Sequence, residues 1–548
     1  MRGAAAGTGG RTAHGPGDRP GTDAAGPARH LRRLPDAVTA GLRGAGTRLT
    51  DARRAGRVPR VEIDELTGPE RRVWEAFPRG RTVDLSAAAE RSVRARVLRA
   101  LLLTSPAEDG EIPALRLRGA RITGEFNLHS GAVRAPVSLR ECVFEETPVL
   151  YGAEFRQLSL SGCRMPGLWA ATLRVAGALR LNDCRVPGSV GLSGARVGGA
   201  LFLDRAELGT RATAGEPEAA AAEREGGSLK LDHATVGEDL QATRLTVHGR
   251  TRLDGLTVAG LVRLDGARLL YPGGGNTALH AETLTVGTDL HAMRLHAEGR
   301  VNLRGATVPG QLNLAYARLS NPGGVALRAS SCTAAEFWLR DAPPVQGTVN
   351  LRRARFELLH IRPEVWPAQV QLDGLTYTAL TPVLPAADRL RVLAREADGY
   401  VPFAYEQLAT AYRHIGDDAA ARSVQLAKER RHRATRPLYG RLWGHLQDAT
   451  VGYGFRPMRA AGWLVGLLLV GALAYGLHPP RPLKADEAPE FNPLAYALDL
   501  LLPVVDFGQE KSYAPEGGYQ WLAYLLVVAG WVLATTFVTG VNRAVTRN

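Results

Sequence analysis

Three kinds of side chain in this 548-residue sequence stand where spacing could let them do chemistry. Cys142, Cys163 and Cys184 recur every 21 residues, so a repeating fold would stack them as neighbouring thiols, able to oxidise together or to hold a soft metal. Ala and Gly fill the equivalent positions elsewhere, which favours the plainer reading of three small core residues. Arg121, Arg164, Arg185, Arg196, Arg268, Arg318 and Arg355 share one slot between a small residue and an aliphatic one, where side chains point outward. Lined up, they would form a candidate binding face for an acidic partner or lipid headgroups, although Glu154 and Glu207 share the slot and simple solvation explains it too. Near the C-terminus, Thr450, Val451, Gly452, Tyr453 and Gly454 form a loop whose backbone carbonyls could line a pore, and Asp499 and Asp506 interrupt an apolar run.

Other chemistry is absent from the sequence. G-x-S-x-G, H-E-x-x-H, a P-loop and a strand-to-helix G-x-G-x-x-G are all missing, so no catalytic residue is assigned and an enzyme is not the favoured reading. The four cysteines contain no CxxC, His291 and His296 have no carboxylate at ligand spacing, and no metal or other cofactor is expected. Net charge is +14, but residues 1–60 alone hold 12 Arg and 4 Asp, whereas residues 112–378 hold 30 basic and 25 acidic side chains. The middle of the chain is therefore nearly neutral, and no specific nucleic-acid partner is predicted.

The elements that must position these residues follow from a repeat. From Leu115 the pattern aliphatic-x-Leu-x-x-small-x-aliphatic-x-Gly recurs every eleven residues, with reference leucines Leu117, Leu128, Leu139, Leu150, Leu181, Leu192 and Leu203. Apolar positions alternate, which is the period of a strand, and units this short bury their inward residues only by winding into coils that stack. Two units make a coil of about 22 residues, and about ten coils at roughly 4.8 Å give a rod on the order of 50 Å. The glycine closing each unit is expected at a corner with unusual backbone angles. A 50-residue duplication matches Val236–Gly275 with Val286–Gly324, each ending in a Pro-Gly-Gly corner loop.

Ala120-Arg121-Ile122-Thr123-Gly124, Ala195-Arg196-Val197-Gly198-Gly199 and Ala306-Thr307-Val308-Pro309-Gly310 resemble pentapeptide repeats over roughly residues 112–378. The resemblance implies a right-handed, four-sided β-helix, although alternate faces carry six residues and few have the Asp or Asn usual before Leu. The layout also resembles bacterial β-helix proteins with a C-terminal membrane anchor, some labelled membrane-associated oxidoreductases. That activity is implied by the resemblance alone.

The remaining segments divide as a disordered basic tail (1–60), a helical N-terminal cap (61–111), the β-helix (112–378), a tetratricopeptide-like helical cap and linker (379–440) and a membrane module (441–548). In the N-terminal cap, one helix is expected over Pro69–Phe77 and a second from Ser86, carrying Val93, Val97, Leu98, Leu101 and Leu102 on its apolar side. The insert 209–227 reads as a flexible loop. Spans are expected at 460–477 and 521–540, with a re-entrant or interfacial segment at 492–505, and Gly462 with Gly466 could pack helices closely. Lys428–Arg459 carries eight Lys/Arg and two acids, while His478–Gln520 carries three and seven, so the β-helix and both termini are expected in the cytoplasm of a bacterial-type inner membrane. The expected function is a scaffold for an unidentified protein partner, with homo-oligomerisation through the spans. The alternative is a two-span pore gated by the β-helix. Thr450–Gly454 matches the letters of the potassium-channel selectivity filter, but it precedes the first span instead of following a pore helix, which favours a turn at the inner surface.

Overall fold

The structure, a computed structural model, describes residues 63–107, 109–211, 227–272, 275–435, 437, 457–484, 488–502 and 506–545. The basic tail, residues 212–226 of the insert and Thr450–Gly454 lie outside these residues.

Residues 115–381 form a β-solenoid in which every strand pairing is parallel and joins one coil to the next. Each coil contributes short strands to four faces, as in Arg174-Val175, Leu179-Arg180, Arg185-Val186 and Val190-Gly191. Face 1 runs through eleven rungs, from Ala132 by way of Glu154, Arg174, Arg196, Thr235, Thr257, Thr285, Thr307, Thr333 and Arg355 to Thr376. Ten spacings of about 4.8 Å make this a rod of about 48 Å. Pairing passes from Arg196 to Thr235 without slipping, so the insert leaves the coil as a loop while the register is kept.

The inward residues follow the repeat. Leu117, Leu139, Leu150, Leu192 and Leu203 are at most 1% exposed and form one continuous core with their neighbours. Each fully buried leucine contributes about 1.5–3 kcal/mol relative to exposure, which is what holds two-residue strands in place. The glycines that close the unit divide in two. Gly124, Gly249 and Gly299 have the expected unusual angles, with φ of +77°, +114° and +113°. Gly188 does not, and is needed where coils touch: a Cβ there would lie 2.5 Å from Pro166 O in the coil before. A further left-handed corner falls two residues after the inward Leu and is occupied by Arg205 or Asp183 as well as by glycine.

Both ends of the rod are covered. At the N-terminus, α1 (Gly68–Ala76) and α2 (Ala95–Thr104) flank two short strands that extend the solenoid, Thr82–Asp84 against Arg116–Arg118 and Ser92–Arg94 against Arg121–Thr123. The second cap helix therefore begins at Ala95, not at Ser86, and Val93 belongs to a strand. Val93 is fully buried, and the open backbone edge of the first coil decides in favour of the strand. Glu70 locks this cap: its buried carboxylate accepts from Arg94 Nε (2.7 Å), Arg94 N (2.8 Å) and Thr67 N (3.0 Å). Burial opposes its ionisation, but the bonds from Arg94 and Thr67 outweigh this and hold the carboxyl below its ordinary 4.5. Its stabilisation is complete above that ordinary value and is lost as the pH falls through the lower folded-state value. Glu70→Gln is expected to lower stability by about 2–3 kcal/mol at neutral pH. Melting followed against pH checks this: the gap between variant and wild type should close in acid, and a pH-independent gap would reject the carboxylate's role.

At the C-terminus, α3 (Ala386–Leu393), α4 (Pro402–His414) and α5 (Asp418–Thr435) close the last coil. Leu408, Ala409 and Tyr412 are buried on the apolar side anticipated for the helix pair. Gln407 Nε2 donates to Tyr377 O (2.5 Å) and Tyr412 Oη to Leu384 O (2.6 Å), tying the helices to the final strand and the loop after it.

The C-terminal helices are α6 (Pro457–Leu477), α7 (Pro493–Leu501), α8 (Gln509–Ser512) and α9 (Gly518–Val545), with α7 packed against both α6 and α9. Among the described residues one helix, through Gly518–Thr535, is long and apolar enough to cross a membrane. Ala461–Leu477 is apolar but shorter, so the same criterion supports one span where two were expected. A Cβ at Gly462 or Gly466 would meet no atom, and the close approaches lie elsewhere. Gly471 faces Ala497 and Leu526, and Gly530 lies against the carbonyl of Leu501.

Candidate functional site

The seven slot arginines are all exposed, but they do not form one face. On face 3 the column reads Arg121, Val143, Arg164, Arg185, Glu207, Thr246, Arg268, His296, Arg318. Arg196 and Arg355 stand in the face 1 column with a run of threonines between them. Arg121 pairs with Glu145 at 2.6 Å and Arg185 with Glu207 at 3.8 Å. The guanidinium groups of Arg164, Arg268 and Arg318 have no hydrogen-bond or ion-pair partner among the described residues.

Arg318 lines a groove of about 710 Å³, and Arg268 stands one coil before its His296. Its floor is His296, Glu298, Gly299, Arg318, Ser320 and Gln346, and prolines line its walls: Pro272, Pro322, Pro343 and Pro344. The groove exists because loops leave the solenoid at the same corner in some coils and not in others. The Pro272 loop and the Asn321–Gly324 segment stand two coils apart, one duplication length, and the coil between them turns with Gly299 alone. There the backbone must pass close beneath Tyr271: a Cβ at Gly299, whose φ is +113°, would lie 2.6 Å from Tyr271 O. Asparagines stiffen both walls, Asn276 Nδ2 donating to Pro272 O (2.7 Å) and Asn321 Nδ2 to Val325 O (2.9 Å). On the floor, His296 Nε2 lies 3.3 Å from Glu298 Oε1, and Ser320 Oγ donates to Gln346 Oε1 (2.8 Å).

No protein family, curated protein or solved structure matches this chain. What the groove does must therefore be read from its own residues. One slot arginine, Arg318, belongs to it. Sequence reasoning missed His296 as a groove residue together with Glu298, Ser320 and Gln346. A signal was present: a duplication two coils long that ends in Pro-Gly-Gly places a loop in alternate coils and so leaves a gap between them.

The cysteine ladder is structural. Cys142, Cys163 and Cys184 stack in successive coils, and each thiol donates to the carbonyl of a leucine one coil earlier: Leu117 (3.8 Å), Leu139 (3.3 Å) and Leu160 (3.0 Å). Burial pushes the thiols of Cys184 and Cys332 up to about 12. In native protein both are expected to react with a thiol reagent at pH 8 more than a hundred-fold more slowly than in urea, because reaction requires the thiolate. Mass spectrometry of the labelled sites checks this, and labelling at the unfolded rate would contradict their enclosure. Among the described residues no three or more His, Cys, Asp and Glu side chains gather where they could hold a metal ion.

In the helical module, Asp499 is buried and accepts from the backbone N–H of Phe507 (2.6 Å), Gln509 (2.8 Å) and Glu510 (3.2 Å). It thus caps α8 and draws the chain back beside α7. Asp506 is exposed, pairs with Lys511 and accepts from Gly508 N (2.9 Å). Arg481-Pro482 pairs antiparallel with Tyr513-Ala514, so the segment between them leaves and returns at one place.

Proposed function

We propose that this chain is a membrane-anchored binding platform, a pentapeptide-like β-helix that presents a groove to a protein partner and is held at a bilayer by its C-terminal helices. The observation that carries the reading is the loop-walled groove of about 710 Å³ on the side of the rod. A solenoid moves little internally, and tethering raises its effective concentration toward partners on the same membrane. Support for the anchor comes from the apolar helix Gly518–Thr535 and the apolar stretch Ala461–Leu477. The excess of Lys and Arg before Ala461–Leu477, against the acidic connecting segment, supports a cytoplasmic β-helix at an inner membrane. A photoreactive residue in place of Gln346 is expected to capture a reproducible partner in native membranes, and one in place of Arg121 is not. Equal capture at both positions, or none at either, rejects the platform.

One observation favours a second reading, a pore. A short helix held between two longer apolar ones, with its entry and exit joined by a strand pair, has the outline of a re-entrant pore segment. Ion flux in proteoliposomes that depends on a stable homo-oligomer would support it, and tight vesicles would reject it.

A further inference from the structure

We infer that face 1 of the β-helix is the contact between two copies of this chain, packed side by side with their coils level and related by a two-fold axis along the rod. This rests on the membrane anchor of the platform reading, and it gives the platform two grooves instead of one.

The residues on face 1 change in kind where the insert leaves the coil. Before it, the column carries charge at Glu154, Arg174 and Arg196; after it come Thr235, Thr257, Thr285, Thr307 and Thr333, one in each coil. Two residues further along the same five coils, a second column reads Gly237, Ala259, Gly287, Pro309 and Ala335. All ten are exposed except Thr333 and Ala335, which are half-buried. Neither column carries a charge over these coils, and charge returns in the next coil with the exposed Arg355 and Glu357. A surface without charge, framed by charged residues, has the composition of an interface core and its rim.

The two columns complement each other in one orientation. A two-fold axis along the rod sets each threonine opposite the residue of the second column in the same coil of the other copy: Thr257 opposite Ala259, Thr285 opposite Gly287, Thr307 opposite Pro309. A larger side chain meets a smaller one at every level, so the two sheets can approach closely. The same operation sets Arg355 opposite Glu357 of the second copy, and His233 opposite Glu238, each pair occurring twice. The side chains of Arg355, Glu357 and Glu238 have no hydrogen-bond or ion-pair partner among the described residues of their own chain. Thr333, Ala335, Arg355 and Glu357 also line a shallow depression of about 290 Å³, which gives the long side chains of the other copy room to lie flat.

The remaining charges of the face do not oppose this pairing. Arg174 and Arg196 come opposite Ala176 and Gly198, and Arg134 opposite Ala132, so no like charges meet. Arg156 comes opposite Glu154, which already holds Arg174 at 2.8 Å in its own chain. An antiparallel pair centred on Thr285 would instead set threonine on threonine and Arg196 on Arg355.

The uncharged coils and the Arg355 coil span five spacings, about 24 Å, by roughly 10 Å across. Counted over both copies this is on the order of 500 Å², about half of what holds two freely diffusing proteins together. Anchoring in one membrane makes up the difference, because it raises the effective concentration of each copy for the other and gives both rods the same polarity. Face 3 lies across the coil from face 1, so both grooves stay open in the pair.

The test uses two differently tagged full-length copies, one T257C and the other A259C, co-expressed and oxidised in native membranes with copper phenanthroline and oxygen. The four native cysteines are buried, which leaves the introduced thiols to react. A disulfide between the two tags is expected at a yield at least ten-fold above that of T257C with R164C, a face 3 position. T285E in both copies puts charge inside the contact and is expected to cut the yield at least five-fold with melting unchanged. R355E in both copies, or E357R in both, is expected to cut it at least three-fold. R355E in one copy with E357R in the other is expected to restore it, because every acid then faces a base of the other copy. A yield no higher than the face 3 control, or one indifferent to T285E, overturns the contact. Failure of the mixed pair to restore the yield overturns the parallel orientation and the proposal with it. Sedimentation with carbonate-washed membranes reads the anchor separately. Chain in the membrane fraction without the disulfide rejects the pair and leaves the anchor standing, whereas chain in the soluble fraction rejects both.

Discussion

Asp499→Ala should dismantle the C-terminal helical module while leaving the β-helix folded. The carboxylate accepts three backbone N–H groups, from Phe507, Gln509 and Glu510, in a buried position. A buried donor left without an acceptor costs about 1–3 kcal/mol, so losing all three amounts to a penalty on the order of 5 kcal/mol, comparable to the stability of a small domain. Asp499→Asn keeps one acceptor oxygen but turns an amide N–H₂ toward the same donors, so an intermediate loss is expected. Hydrogen exchange read by mass spectrometry separates the two parts of the chain. Protection should disappear from residues 493–512 and persist in the strands around Leu192 and Leu264. Retained protection in the variant would show that helix packing through Tyr475, Tyr496 and Leu526 holds the module without its cap. The outcome also bears on function, because a pore would lose conduction with this module, whereas partner capture at Gln346 depends on the β-helix.

Gly287→Val is expected to break the β-helix in its middle. Gly287 N donates to Val258 O (2.9 Å) and Gly260 O (3.1 Å), and a Cβ at this position would overlap the carbonyl of Ala259. The obstacle is backbone, fixed by the parallel ladder on both sides, so it cannot rotate away as a side chain would. Overpacking of a close-packed interior costs about 1–3 kcal/mol where neighbours can give, and here the upper end or more is expected. Each coil contacts only its neighbours, so the damage should spread to the adjacent rungs and reach the groove, whose floor begins nine residues later at His296. A lowered melting temperature with early loss of protection around Val258 and Val286 is the expected signature. Gly275→Val is the control: its Cβ would meet no atom, and an equal effect there would reject the close-contact explanation.

Much of the β-helix was legible in the sequence because its repeat is local. Side chains alternate in and out over two residues, leucine returns at fixed intervals, and burial of Leu117 through Leu203 at those intervals needs no long-range information. The helix pair at Leu408, Ala409 and Tyr412 was legible for the same reason. Where a segment's partner is distant in sequence, the reading failed. Val93 satisfies a helix or a strand equally well, and only the exposed edge at Ile122 makes it a strand. Gly462 and Gly466 have the spacing of a helix contact, but the chain crosses at Gly471 and Gly530, where Ala497, Leu526 and the carbonyl of Leu501 happen to lie.

The arginines show the division most clearly. By itself the sequence determined that Arg121, Arg185, Arg268 and Arg318 point outward, since alternation along a strand settles direction. Only the tertiary structure decided that the first two meet Glu145 and Glu207, that Arg318 lines a groove with Glu298 on its floor, and that Arg268 stands one coil before that floor. Orientation is set by the residue's own backbone, but a partner is set by register between coils 20 to 40 residues apart, and loops inserted between coils change what each position meets.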